Sequence, residues 1–247
     1  MEENQEIINP NQLDLFSQDV ITQDAPEAET NQAVSEPVES TTQPQTENFD
    51  HIELPDDIDP FWSPELLGWN STEEQETLFF ALQMFYEQDS SVLDVGAGRG
   101  DLFGYMANLY PNWDPTLYTG IDFNSYLINL GNQKFPTANL LAGDLFTVDD
   151  SVRYDWCMAN GIFNLKIANY DMEEYTKLAI DKMYNIAEKG VAFNLLTSYD
   201  DSMSQEVIDA IHKFDAGEYL NYLTEKYGKV ICRADYFPGD VTFFIFK

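Results

Sequence analysis

The chain has 247 residues and a mass of 28.3 kDa, enough for one domain with additions, and 44% hydrophobic with 14% aromatic residues can fill a core. A formal net charge of −32 argues against unaided binding to nucleic-acid backbones or anionic membranes, since neither releases counterions to an acidic surface. The charge is uneven: no Lys or Arg precedes Arg99, and the first 98 residues hold 23 of the 44 acidic ones.

Residues 1–50 contain only two aromatics, Phe16 and Phe49, among Gln, Asn, Thr, Ser, Glu and Pro. Such a composition buries too little apolar surface to offset the cost of ordering, so a disordered, solvated acidic tail is expected. The start lacks a basic region followed by an apolar stretch, so no secretory signal is expected.

Residues 51–89 read as a docked segment and a cap helix. Phe61, Trp62, Leu66, Leu67 and Trp69 suit docking. Ser71-Thr72-Glu73-Glu74 is a capping box, after which Leu78, Phe79, Leu82, Phe85 and Tyr86 recur at helical spacing.

From residue 90 to 247 the text alternates between strand and helix. Strands are expected at 91–95, 117–122, 139–142, 156–159 and 191–196, with helices at 101–110 and 125–134 between them. Met172, Tyr175, Ala179, Met183 and Ile186 mark a long helix, with Lys189 and Gly190 expected to end it. Asp215 and Glu218 open a helix reaching about Tyr227, and strands follow at 230–234 and 241–246. Phe237-Pro238-Gly239-Asp240 between them carries a type II turn signal. The expected fold is therefore α/β: a Rossmann-like, doubly wound, mostly parallel sheet. Its last strand must run antiparallel, because that turn is too short for a crossover.

Cys157 and Cys232 match no metal or redox spacing and fall in apolar runs. Buried free thiols, no metal site and a cytoplasmic location are expected. The run 241–246 is too short to span a bilayer.

Val92-Leu93-Asp94-Val95-Gly96-Ala97-Gly98-Arg99-Gly100-Asp101 is the most informative stretch. A glycine-rich turn between a first strand and its helix lets a ligand approach the backbone closely. Asp122 ends the next strand, where a carboxylate can accept from ribose hydroxyls. The third glycine comes one residue earlier than in the nicotinamide fingerprint, which points away from that cofactor.

With Asp94 followed by Gly96, Gly98 and Gly100, the chain resembles the class I S-adenosylmethionine-dependent methyltransferases over the whole of 90–247. The resemblance also matches the antiparallel last strand. It implies S-adenosyl-L-methionine as cofactor. Gly96, Gly98 and Gly100 would approach the methionine portion, with Asp94 supporting the turn. Asp122 would hold the ribose, with Phe123 against the adenine. Gly143-Asp144-Leu145 looks like the third motif, with Asp144 accepting from the adenine amino group. Asn160 follows the fourth strand, where the methyl should point. A narrower likeness to a branch of small bacterial and phage methyltransferases rests on Gly68-Trp69-Asn70-Ser71 with Gln75, Asn160-Gly161-Ile162-Phe163-Asn164, Phe193-Asn194-Leu195-Leu196-Thr197, and Asp235-Tyr236 through Thr242.

Methyl transfer makes no single side chain compulsory, because the cofactor brings the activated group. Asn160 by position, and Tyr236 and His212 by chemistry, are the candidates for catalysis; a lone His on a helix is more often structural. Methyltransferases acting on bases or glutamine carry Asn or Asp followed by two prolines and an aromatic, whereas this chain has Asn160-Gly161-Ile162-Phe163. A small-molecule or partner-presented acceptor fits better. The alternative is an interaction protein that keeps the cofactor but not the chemistry. In the tail, Gln12-Leu13-Asp14-Leu15-Phe16 resembles the pentapeptide by which bacterial replication proteins dock on the sliding clamp, which implies a tether.

Overall fold

The computed structural model describes residues 59–167, 170–200 and 203–247. The acidic tail and its clamp-like peptide lie outside them.

Seven strands form one sheet: β1 (Val92–Val95), β2 (Tyr118–Asp122), β3 (Asn139–Ala142), β4 (Tyr154–Ala159), β5 (Ala187–Leu196), β6 (Val230–Arg233) and β7 (Asp240–Phe246). Their order is β3-β2-β1-β4-β5-β7-β6. The first five pair in parallel, while β7 runs antiparallel to both β5 and β6. The Pro-Gly turn makes that reversal: Gly239 has φ 82° and the Asp240 amide donates to the Phe237 carbonyl.

Alternation along the strands feeds two cores. Val191, Phe193, Phe243 and Ile245 face α4 (Met172–Ile186) and α6 (Ala216–Tyr227), which contribute Ile180, Met183, Tyr219 and Leu223. Val92, Met158, Ala192 and Phe244 face the other way. There α1 (Thr72–Leu82), α2 (Asp101–Leu109) and α3 (Ser125–Lys134) contribute Phe79, Leu82, Phe103, Met106 and Ile128. Helices on both faces of a largely parallel sheet make the fold doubly wound, as expected.

Local chemistry explains most helix starts. Ser71, Asn124, Asp171 and Asp215 each accept from amides of the first turn. The capping box at α1 is modified: Ser71 Oγ accepts from the Glu74 amide, but the Glu74 carboxylate returns to the backbone and side chain of Asn70. Helix α1 stops at Leu82, so Phe85 leaves the helical register and packs edge-on against Phe244 and Phe246.

Three expectations need correction. Lys189 and Gly190 do not end α4; the chain passes from Ile186 directly into β5, and both residues lie in that strand. His212 is not on a helix. It follows α5 (Gln205–Ala210), its amide donates to the Asn164 carbonyl, and its Nε2 lies 3.2 Å from Glu173. Both cysteines are free, but only Cys157 is buried, because Cys232 sits on edge strand β6 and is half-buried.

Residues 59–70 form a strap across α3. Leu66 is buried against Leu127 and Leu130. The Arg99 guanidinium, 1% exposed, donates to the Pro60 carbonyl and to Asp101, which also binds Lys134 at 2.6 Å and Gln75 at 3.2 Å. The Lys134 ammonium lies 4.2 Å from the Trp62 ring centroid. One carboxylate at the head of α2 thus neutralises two buried cations and ties strap, α1, α2 and α3 together. Among the described residues no helix is long and apolar enough to cross a membrane.

Candidate functional site

Parallel strands direct their connecting loops to one end of the sheet, and ligands in such folds bind where the strand order reverses. Here that point lies between β1 and β4, whose last residues Val95 and Ala159 pair side by side. The chain leaves β1 through Gly96, Gly98 and Gly100 at φ 72°, 54° and 78°. An L side chain rarely adopts these angles, so the composition of the bend follows from its shape. The amides of Gly96 and Ala97 both donate to the Ile121 carbonyl, at 2.8 and 2.9 Å.

Asp122, at the end of β2, fastens the bend. One carboxylate oxygen accepts from the Gly98 amide and the other from the Asn124 amide, both at 2.8 Å. Burial raises its pKa, with the two amide bonds pulling the other way. Its carbonyl accepts from the Gly143 amide at 2.9 Å, so the three loops are hydrogen-bonded to one residue.

Asp94 lies beneath the bend, 3% exposed, and accepts from the Tyr118 hydroxyl at 2.5 Å. It faces no cleft. Burial raises its carboxyl to about 7; the Tyr118 bond opposes this, and neighbouring Asp122 and Asp101 reinforce it. Because the folded protein keeps Asp94 protonated to higher pH than the unfolded chain does, this contribution to stability is complete below about pH 4 and is lost as pH rises through about 7. Asp94→Asn retains an acceptor for Tyr118 without the charge. Its melting temperature relative to the native chain is expected to rise from about pH 4 to about pH 7 and to level off above that. Thermal melts of both proteins check this, and a pH-independent difference would reject it.

The remaining site residues are spread around the same rim. Phe123 is 61% exposed. Asp144 is exposed and caps the short helix Leu145–Thr147 by accepting from the Phe146 amide, while Leu145 is buried in the core. Asn160, the first residue after β4, is the anomaly. Both its side-chain nitrogen and oxygen are buried, and neither has a hydrogen-bond partner among the described residues. An unpaired buried amide costs about 1–3 kcal/mol per polar group.

The bend is covered. A Cβ added at Gly96 would lie 2.1 Å from Ile162 Cγ2, and one at Gly98 would lie 3.4 Å from Leu67. Ile162 from the loop and Leu67 from the strap thus lie against the Cα atoms of Gly96 and Gly98. Trp69 covers the next glycine in the same way, 2.9 Å from an added Cβ at Gly161. The sequence pattern does not reveal the covering roles of Leu67 and Ile162, nor the anchoring role of Arg99. Each depends on segments far apart in the chain. His212 is outside this group, paired with Glu173. Among the described residues no three or more His, Cys, Asp or Glu side chains gather as a metal site.

No protein-family model matches the chain. Among curated proteins, Rv1506c of Mycobacterium tuberculosis (strain ATCC 25618 / H37Rv), provisionally named a methyltransferase, is 27% identical over 144 residues, covering 57% of this chain and 82% of that protein. The plantazolicin methyltransferase BpumL, solved with S-adenosylhomocysteine, is similar at a TM-score of 0.51 and 15% identity, over 70% of this chain and 82% of its own. Magnesium protoporphyrin IX methyltransferase from Synechocystis PCC 6803, also with S-adenosylhomocysteine bound, reaches 0.54 at 12% identity, over 73% and 89%. These likenesses show the fold: a seven-stranded, mostly parallel sheet closing with antiparallel strands, shared with methyltransferases that bind this cofactor.

Proposed function

We propose that the chain is an S-adenosylmethionine-dependent methyltransferase acting on a small-molecule or partner-presented acceptor. The observation that carries this reading is the bonding of the Gly98 amide to Asp122, which joins the glycine bend after β1 to the carboxylate at the end of β2; the reading assigns that carboxylate to the ribose. Each Asp122 oxygen keeps a lone pair beyond its amide bond, so both can still accept from ribose hydroxyls. Gly96, Gly98 and Gly100 would lie along the methionine portion. Phe123 offers an exposed ring to the adenine and Asp144 an exposed carboxylate to its amino group, while Leu145 anchors that loop in the core. Asn160 offers both a donor and an acceptor that are otherwise unpaired. When bound, the cofactor supplies a methyl on a sulfonium. The chain's own contribution is to orient the reactants and, through Leu67, Trp69 and Ile162, to exclude water.

Calorimetry of the full chain with S-adenosylhomocysteine should show saturable binding, and S-adenosylmethionine should turn over in a bacterial lysate. Absence of binding, with stabilisation by NAD instead, would overturn the reading.

We propose in addition that the acidic tail carries an address. The reading assigns Gln12, Leu13, Leu15 and Phe16 to a sliding clamp, with the remaining tail as tether. Losing an aromatic anchor from such a peptide costs about 2 kcal/mol, so Phe16→Ala should weaken clamp capture about thirtyfold. Equal capture of both forms on immobilised clamp would remove the tether.

A further inference from the structure

One polar cluster takes no part in the hydrogen bonds that hold the glycine bend. It is built where β7, inserted between β5 and β6, brings its first residue to the ligand-binding end of the sheet. Asp240 is 7% exposed there. Its Oδ1 accepts from Asn194 Nδ2 at 2.7 Å and from the Tyr236 hydroxyl at 3.4 Å; Tyr236 also bonds Thr242 at 2.8 Å. Its Oδ2 accepts from no described residue. Asn194 in turn accepts from the Gly161 amide at 2.7 Å.

The loop 160–162 therefore touches both halves of the site. Ile162 lies on Gly96 of the bend, the Gly161 amide is held by the partner of Asp240, and Asn160 presents its unpaired amide between them. A methyl directed toward this loop has one carboxylate within its hydrogen-bonded neighbourhood that is neither spent on the glycine bend nor paired with a cation.

We propose that Asp240 takes the proton from the methyl acceptor, and that the acceptor is a protic nucleophile, a hydroxyl or an amine, rather than a carboxylate or phosphate. This rests on the methyl-transfer reading. The acceptor's lone pair forms the new bond to the methyl carbon, and the carbon–sulfur bond breaks with its electron pair left on sulfur as a neutral thioether. The acceptor's proton passes to Asp240 Oδ2. Asn194 and Tyr236 act as positioning residues, both bonding Oδ1 and leaving Oδ2 for the acceptor's proton. A second acid, Glu74 at the start of α1, adds negative potential at Asp240, which disfavours an anionic acceptor and favours a neutral or cationic one.

Basicity agrees with the geometry. Burial, reinforced by Glu74, raises Asp240 to about 7, while the bonds from Asn194 and Tyr236 pull it down. The facing groups are Asn194 from β5, Tyr236 from the turn and Glu74 from α1; Arg233 on β6 lies over the Tyr236 ring. A base must be ionised to act, so kcat/KM should rise with pH through about 7 and level off above it.

The test uses the full chain, trideuteromethyl-labelled S-adenosylmethionine and a bacterial lysate, with labelled products identified by mass spectrometry. Asp240→Asn is close to isosteric and should lower product formation by about 100-fold or more, leave S-adenosylhomocysteine affinity unchanged and abolish the rise with pH. Of the infrared carboxyl signals that titrate near neutrality, one should vanish with it while that of Asp94 stays. Tyr236→Phe should shift the pH profile while retaining most of the rate, which tests the positioning if Asp240→Asn fails to fold. Label on an ester or on carbon overturns the acceptor class. Unchanged turnover in Asp240→Asn overturns the proton role and leaves the methyltransferase reading standing. A native chain that binds no S-adenosylhomocysteine, or binds it and labels nothing, overturns both.

Discussion

Asp122→Ala is expected to abolish S-adenosylhomocysteine binding, with a loss of at least about 100-fold. Two separate effects combine. The ribose loses an acceptor for its hydroxyls, and a hydrogen bond to a charged group contributes about 1.5–3 kcal/mol. The Gly98 and Asn124 amides also lose their partner, so the bend that must lie along the ligand is no longer held. Asp122→Asn separates the effects, since its single side-chain oxygen can satisfy one amide but not both. It should bind more weakly than the native chain and more tightly than Asp122→Ala. Hydroxyl donors favour the ionised carboxylate, whereas burial in the free protein raises its pKa. Binding should therefore release a proton and strengthen as pH rises through the range where free Asp122 titrates. Calorimetry in buffers of different ionisation enthalpy reads both affinity and proton release. An Asp122→Ala protein that stays folded with near-native affinity would sink the site as drawn.

What the sequence revealed of this site follows from locality. The bend, Asp122, Asp144 and Asn160 each sit where a strand gives way to a loop, and both signals are short-range: an apolar run followed by glycine or a small polar residue. Strand direction was legible for the same reason, because crossover helices have a readable length and the last turn was too short to hold one. Residues whose work depends on distant partners were not legible in this way. Asp240 reads locally as the last residue of a Pro-Gly turn, and only the insertion of β7 between β5 and β6 brings it to Asn194. Arg99 stands in the glycine-rich turn, and nothing local signals that a strap more than thirty residues earlier in the chain buries it. Leu67 reads as a docking residue and Ile162 as part of a motif, but nothing in their spacing shows that they cover glycines.

Gly190 provides the sharpest test of local against distant reading. As the terminator of α4 it would hold a left-handed residue at a helix end, where Gly→Ala costs about 1 kcal/mol. Its actual place is inside β5, where its φ is not in the left-handed region and the reason for glycine is space. An added Cβ would lie 2.5 Å from the Ile245 carbonyl oxygen and 2.8 Å from the Trp156 ring. The first contact is backbone in the neighbouring strand β7, so it cannot swing aside. Relief requires β5 and β7 to separate and Trp156 to shift from its packing on Phe246. Gly228 supplies the control. It ends α6 at φ 83° and an added Cβ meets nothing within 4 Å. Gly228→Ala should therefore cost only the backbone strain of about 1 kcal/mol, whereas Gly190→Ala should cost about 2–3 kcal/mol as overpacking against an immovable partner, and Gly190→Val more. Denaturant unfolding of the three variants orders them. Were Gly190→Ala to match Gly228→Ala, the close passage of β5 and β7 would be wrong. The placement of Asp240 beside Asn194 depends on that same pairing and would fall with it.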